Sequence, residues 1–110
     1  MTAFAALATP AADGTLTVTA TGELDVTSAP ELIKVLRDAI RRHTPPRVDL
    51  DLSGVPFMDS TGIQVLVAAN SDVEGGLRIT GTSPAVHRLL QLTGLLDVFG
   101  LPEGQLAAEQ

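Results

Sequence analysis

Apolar and polar positions along this chain fall into two rhythms, and the rhythms alternate. From Thr15 to Thr21 the residues read Thr-Leu-Thr-Val-Thr-Ala-Thr. That period of two predicts a strand with one buried face. Val48, Leu50 and Leu52 repeat the pattern in a strand over Arg47–Leu52. Phe4–Thr9 reads as an earlier strand bounded by Pro10, and Asp13-Gly14 is a hairpin signal, so the first two strands should pair antiparallel. Leu77–Thr80 reads as a short strand after the turn Glu74-Gly75-Gly76, and Asp97–Phe99 as a last one.

Between the strands the apolar spacing widens to three and four. Leu32, Ile33, Leu36, Ala39 and Ile40 form a helical stripe, with Lys34, Arg37, Arg41 and Arg42 on or near the solvated side. Ser28 and Glu31 have capping-box spacing at its start, Pro30 suits a first turn, and Thr44-Pro45-Pro46 ends it. Ile63, Leu66, Val67 and Asn70 suggest the inward stripe of a second helix running to about Asp72. Ser83 caps and Pro84 opens a third over Ala85–Leu92, stopped by Thr93-Gly94; Pro102–Ala108 reads as a fourth. The order ββαβαβαβα predicts an α/β domain: a mixed, mostly parallel sheet of four to five strands, an N-terminal antiparallel hairpin and about four helices. The 110 residues suit a single domain.

Composition narrows the functions. The formal net charge of −6 opposes general binding to nucleic acid or to an anionic membrane surface. There is no cysteine, hence no disulfide, thiol nucleophile or Cys-based zinc site. No Asp/Glu/His cluster has metal-ligand spacing, no glycine-rich loop fits a phosphate or dinucleotide fingerprint, and no cofactor is expected. No apolar run is long enough to span a membrane, and the N-terminus lacks the positive region of a secretory signal, so a cytoplasmic protein is expected. His43 and His87 lie at a helix end and within a helix, both expected on solvated surface, and no serine sits in G-x-S-x-G. A small Ser-His hydrolase is therefore the disfavoured enzymatic reading, and no catalytic residue is assigned.

The chemistry concentrates in Asp51–Val67, where a strand end passes through Met58-Asp59-Ser60-Thr61-Gly62 into the second helix. Asp59 suits the N-cap, which makes Ser60 the first helical residue with its hydroxyl near the surface. That hydroxyl either helps the cap or is a modification site. Gly62 lets another backbone or a partner approach closely. With the stripe above facing the sheet, Thr61, Val65, Ala68 and Asp72 lie outward and Gln64 lies nearer Ser60. No charge occurs from Thr61 to Ser71. Surface helices are usually charged outside, so this face should be covered by the chain itself or should dock a partner; with so few helices, docking is favoured.

Phe57-Met58-Asp59-Ser60-Thr61-Gly62-Ile63 resembles the signature of anti-sigma-factor antagonists, whose fold is the STAS domain. Gly22-Glu23-Leu24-Asp25 with Thr27 and Ala29-Pro30 is similar to a loop of that family. So are Ser83-Pro84-Ala85-Val86, Arg88-Leu89-Leu90 and Thr93-Gly94-Leu95 to its third helix and the following turn. The resemblance covers about residues 15 to 100. It implies a non-enzymatic switch in which an anti-sigma factor serine kinase phosphorylates Ser60 and a PPM-type serine phosphatase resets it. The unphosphorylated form would bind the anti-sigma factor and free the sigma factor. It also implies partner contacts at Asp25, Asp59, Ser60, Thr61, Gly62, Gln64, Val65 and Ala68, on a monomer or weak dimer. Gln64 stands where many relatives have glycine, and the second helix lacks the lysines usual there. The alternative is a STAS accessory subunit docking on a transporter or lipid-transport ATPase, with Ser60 or Thr61 only a contact.

Overall fold

The computed structural model describes residues 3–101. Four strands form one sheet in the order β1-β2-β3-β4: β1 (Ala5–Pro10), β2 (Leu16–Thr21), β3 (Val48–Gly54) and β4 (Leu77–Thr82). β1 pairs antiparallel with β2, from Ala5↔Thr21 to Pro10↔Leu16, and the other pairs are parallel. The hairpin closes at Asp13-Gly14 as expected. Asp13 Oδ1 accepts from the Thr15 N–H at 2.9 Å, and Gly14 takes the positive φ of +92° that the turn needs.

The period-two strands pack in layers. Leu16, Val48 and Leu77 share one register row, and Val18, Leu50 and Ile79 the next; all six are buried. Three helices, α1 (Ala29–His43), α2 (Ser60–Asp72) and α3 (Pro84–Leu92), complete the described fold. α1 packs on β1 and β2 and against α2, while α2 and α3 pack on β4. The opposite face of the sheet, with Thr17, Thr19, Asp51, Arg78 and Thr80, stays partly or fully exposed.

Several expectations change. Asp97–Phe99 is a turn and not a strand, although the Phe99 carbonyl accepts from the Ile79 N–H at 3.0 Å along the edge of β4. The sheet therefore has four strands, and the helix expected over Pro102–Ala108 lies outside the described residues. Ser28 occupies the N-cap of α1 but makes no side-chain cap bond; its hydroxyl turns back to the Glu23 carbonyl at 2.7 Å. His87 is buried at 5% exposure, not solvated, because it shares the inward stripe of α3 with Val86 and Leu90. Its Nδ1 lies 3.5 Å from Thr82 Oγ1, and Nε2 has no hydrogen-bond partner among the described residues.

Candidate functional site: the start of the second helix

β2 and β3 run parallel, so their C-terminal ends deliver two loops side by side. They are stitched by backbone bonds: Gly22 N–H to the Gly54 carbonyl at 3.0 Å, Leu24 N–H to Phe57 at 2.9 Å, and Asp59 N–H to Leu24 at 3.2 Å. Leu24 and Met58 form an isolated parallel bridge and bury their side chains. The loop before α1 is folded by Asp25, whose Oδ1 accepts from the N–H groups of Thr27 (3.0 Å) and Ser28 (3.2 Å). Short acidic side chains commonly hold turns in this way. Asp25 thus has a structural task beside any partner contact.

Asp59 is the N-cap of α2, as expected. Its backbone is extended, and its Oδ1 accepts from the N–H groups of Thr61 (2.9 Å) and Gly62 (3.4 Å). Two of the free amides of the first turn are satisfied without help from Ser60. Ser60 is the first helical residue and is exposed, and its hydroxyl joins none of the hydrogen bonds among the described residues. Of the two expectations for this group, cap helper is removed.

The inward stripe of α2 is Gly62, Val65, Leu66 and Ala69; Ile63 is half-buried and Val67 is 44% exposed. The expected phase was rotated by roughly one residue, or about 100° of helix. Gly62 therefore turns into the chain's own packing, and Val65, though largely buried, still lines the groove between α1 and α2. A Cβ at Gly62 would overlap Met58 and press Leu24, so the close approach it permits is internal. Thr61 is half-buried, whereas Gln64, Val67 and Ala68 are exposed beyond Ser60. Along α2 no charge interrupts this surface before Asp72. Sequence reasoning missed Val26 (70% exposed) and Phe57 (48% exposed), apolar side chains on the two loops that frame Ser60. A signal existed for Phe57: it lies two residues after buried Val55, beyond Pro56, where strand alternation has ended. Between α1 and α2 runs a groove of about 160 Å³, with Ile33, Arg37 and Ile40 on one wall and Thr61, Gln64 and Ala68 on the other.

The STAS domain family matches residues 6–107. The anti-sigma-B factor antagonist of Staphylococcus epidermidis is 38% identical over 86 residues, which is 76% of this chain and 79% of that protein. This chain belongs to the STAS family of anti-sigma-factor antagonists. Members of that family are non-enzymatic regulators. The crystal structure of an anti-sigma factor antagonist from Mycobacterium paratuberculosis superposes on this STAS domain with a TM-score of 0.81 at 29% identity, over 97% of this chain and 93% of that one. The Bacillus cell fate determinant SpoIIAA in its phosphorylated form shares the fold, with a TM-score of 0.61 at 21% identity over 83% and 85% of the two chains. No helix among the described residues of this STAS domain is long and apolar enough to cross a membrane, and no group of three or more His, Asp or Glu among them is placed to hold a metal ion.

Proposed function

We propose that this chain is a single cytoplasmic STAS domain that works by partner switching. Its unphosphorylated form binds an anti-sigma factor serine kinase and so releases the sigma factor. The kinase moves the γ-phosphoryl group of ATP onto Ser60 Oγ; the hydroxyl proton is lost and ADP leaves. The modified form lets go, and a PPM-type serine phosphatase hydrolyses the ester to restore Ser60.

One observation carries this reading. Ser60 presents an unused, exposed hydroxyl at the start of a helix that is already capped, at the head of a charge-free surface. Phosphate adds about −1.5 to −2 charges at pH 7, which a helix N-terminus tolerates. The same charge disfavours burial against a partner. The docking surface comprises Ser60, Gln64, Val67 and Ala68, with Val26 and Phe57 on the adjoining loops and Asp25 and Asp59 holding them in place. That a Bacillus chain of the same fold exists in a phosphorylated form supports the reading.

The test is incubation with ATP and anti-sigma kinases of the same genome, followed by phosphopeptide mapping and pull-down. The phosphate is expected on Ser60. Thr61 is half-buried and its amide is held by Asp59, so phosphate on Thr61 would overturn the assignment. Ser60→Ala should bind the kinase and stay bound, and Ser60→Asp or Ser60→Glu should bind much more weakly. Equal binding by all three would remove the charge-based switch. Docking on a transporter with no phosphate transfer would favour the accessory-subunit role.

A further inference from the structure

β1 is an edge strand, and among the described residues nothing pairs with its outer side. Soluble domains usually guard such an edge with charge, proline, a bulge or a covering element, and of these β1 has only Pro10, at its end. Here the chain carries no charge from Ala3 to Ala12, and β1 pairs with β2 without a register shift. The core also runs out to this edge unfinished. Phe4, Ala6 and Ala8 pack against it yet stay half-exposed, whereas Val18 and Ala20 beside them on β2 are fully buried. On the other face Leu7 is 68% exposed.

Helix α1 lies over β1 and β2 and turns Ile33, Arg37 and Ile40 toward α2. At about 100° per residue, Glu31, Val35, Asp38 and Arg42 occupy the opposite side, toward the open edge. Val35 is half-buried, and Glu31 and Arg42 are exposed. A two-fold axis reverses the direction of this stripe, so Glu31 of one copy meets Arg42 of the other, and Val35 faces Asp38 near the middle. The strand is complementary to itself in the same operation. Antiparallel pairing about Leu7 sets Leu7 against Leu7, Ala6 against Ala8 and Ala5 against Thr9. It uses the strand up to Pro10, which cannot donate.

We propose that β1 and the outer side of α1 form a two-fold interface with a second copy of this chain, joining two four-stranded sheets into one of eight strands. The surface is isologous, so it closes at the dimer. Ser60 lies on α2, across α1 from this edge, and remains free for a partner in each copy.

Sedimentation velocity over a concentration series should show a reversible dimer in the unmodified protein and its loss in Leu7→Lys. Leu7 is exposed, so a melting curve will show the variant to be folded. The chain has no cysteine, which makes engineered thiols clean probes. Leu7→Cys should crosslink to itself on oxidation, because facing Cα atoms of an antiparallel pair lie ~4.5–5.5 Å apart, within disulfide range. Thr9→Cys alone should not, since its copies stand four positions apart, ~13 Å at strand rise. Thr9→Cys mixed with Ala5→Cys should crosslink. A monomer at every concentration, a dimer that survives Leu7→Lys, or self-crosslinking of Thr9→Cys equal to that of Leu7→Cys would each overturn the proposal. If Leu7→Lys does not fold, the thiol pairs decide alone.

Discussion

At Gly62 the backbone of α2 comes so close to Met58 and Leu24 that a methyl group has no room. The overlap falls on Met58 Cγ, one bond from Cβ, which cannot swing aside as a side-chain tip would. Alanine ordinarily favours a helix over glycine by ~1 kcal/mol. Overpacking a buried contact costs ~1–3 kcal/mol, so Gly62→Ala should be destabilising on balance. A melting temperature lowered by a few degrees checks this; an unchanged or raised one would show that Met58 yields. The Asp59 cap and the exposed Ser60 were legible because a carboxylate before a hydroxyl and an apolar helical run has a physical signature. The inward role of Gly62 was not, since a glycine gives no sign of which neighbour approaches it. The burial of His87 was available in its spacing from Val86 and Leu90, but a polar side chain weighs against an inward assignment.

For whole elements, the readable ones had a single dominant period. β2 and β3 alternate strictly, and α1 has its charges on one side, so both the elements and their buried faces follow from the pattern. In α2 the run Ile63-Gln64-Val65-Leu66-Val67-Ala68-Ala69 is apolar nearly all round, so periodicity identifies a helix but does not fix its rotation. Asp97–Phe99 failed for a related reason: three residues, two of them apolar, fit a strand or a turn equally. The hairpin offers a test by pH. The Thr15 N–H bond, then the Thr15 hydroxyl, holds the Asp13 carboxyl below the usual carboxylate range. A depressed carboxylate contributes stability that is present above its unfolded pKa and lost as pH falls through the folded one. The stability gap between the parent protein and Asp13→Ala should therefore be constant near neutrality and narrow only below pH ~4. Melts across an acid series check this, and a gap independent of pH would mean that the turn acts through chain geometry alone.

In the molecule as a whole, the phosphorylation of Ser60 proposed above should act on binding far more than on folding. A dianion at the first helical position interacts favourably with the helix dipole by ~1 kcal/mol or less at an exposed site. Repulsion from Asp59 opposes it by a similar amount, weakened by salt. Both are small against a domain stability of ~5–15 kcal/mol, while an unpaired charge forced into a dry interface costs several kcal/mol. Thermal melts and kinase titrations on the same two samples should show nearly superimposable melts and widely separated affinities. A melting shift above ~10 °C, more than a kcal/mol in a domain this size, with little change in affinity would mark a conformational switch instead.

The bare face of the sheet has a consequence of another kind. Each strand from β2 to β4 answers to two unequal demands: Val18, Leu50 and Ile79 must fill a closed interior, while Thr19 and Thr80, facing water, need only keep the backbone extended. Sequence drift should therefore advance through these strands in alternate steps, freezing one residue and releasing the next. Distant descendants would keep the inner rows of the sheet and share almost nothing of its outer surface. A label or a second binding surface built on that outer side would leave the core and the proposed docking surface around Ser60 untouched.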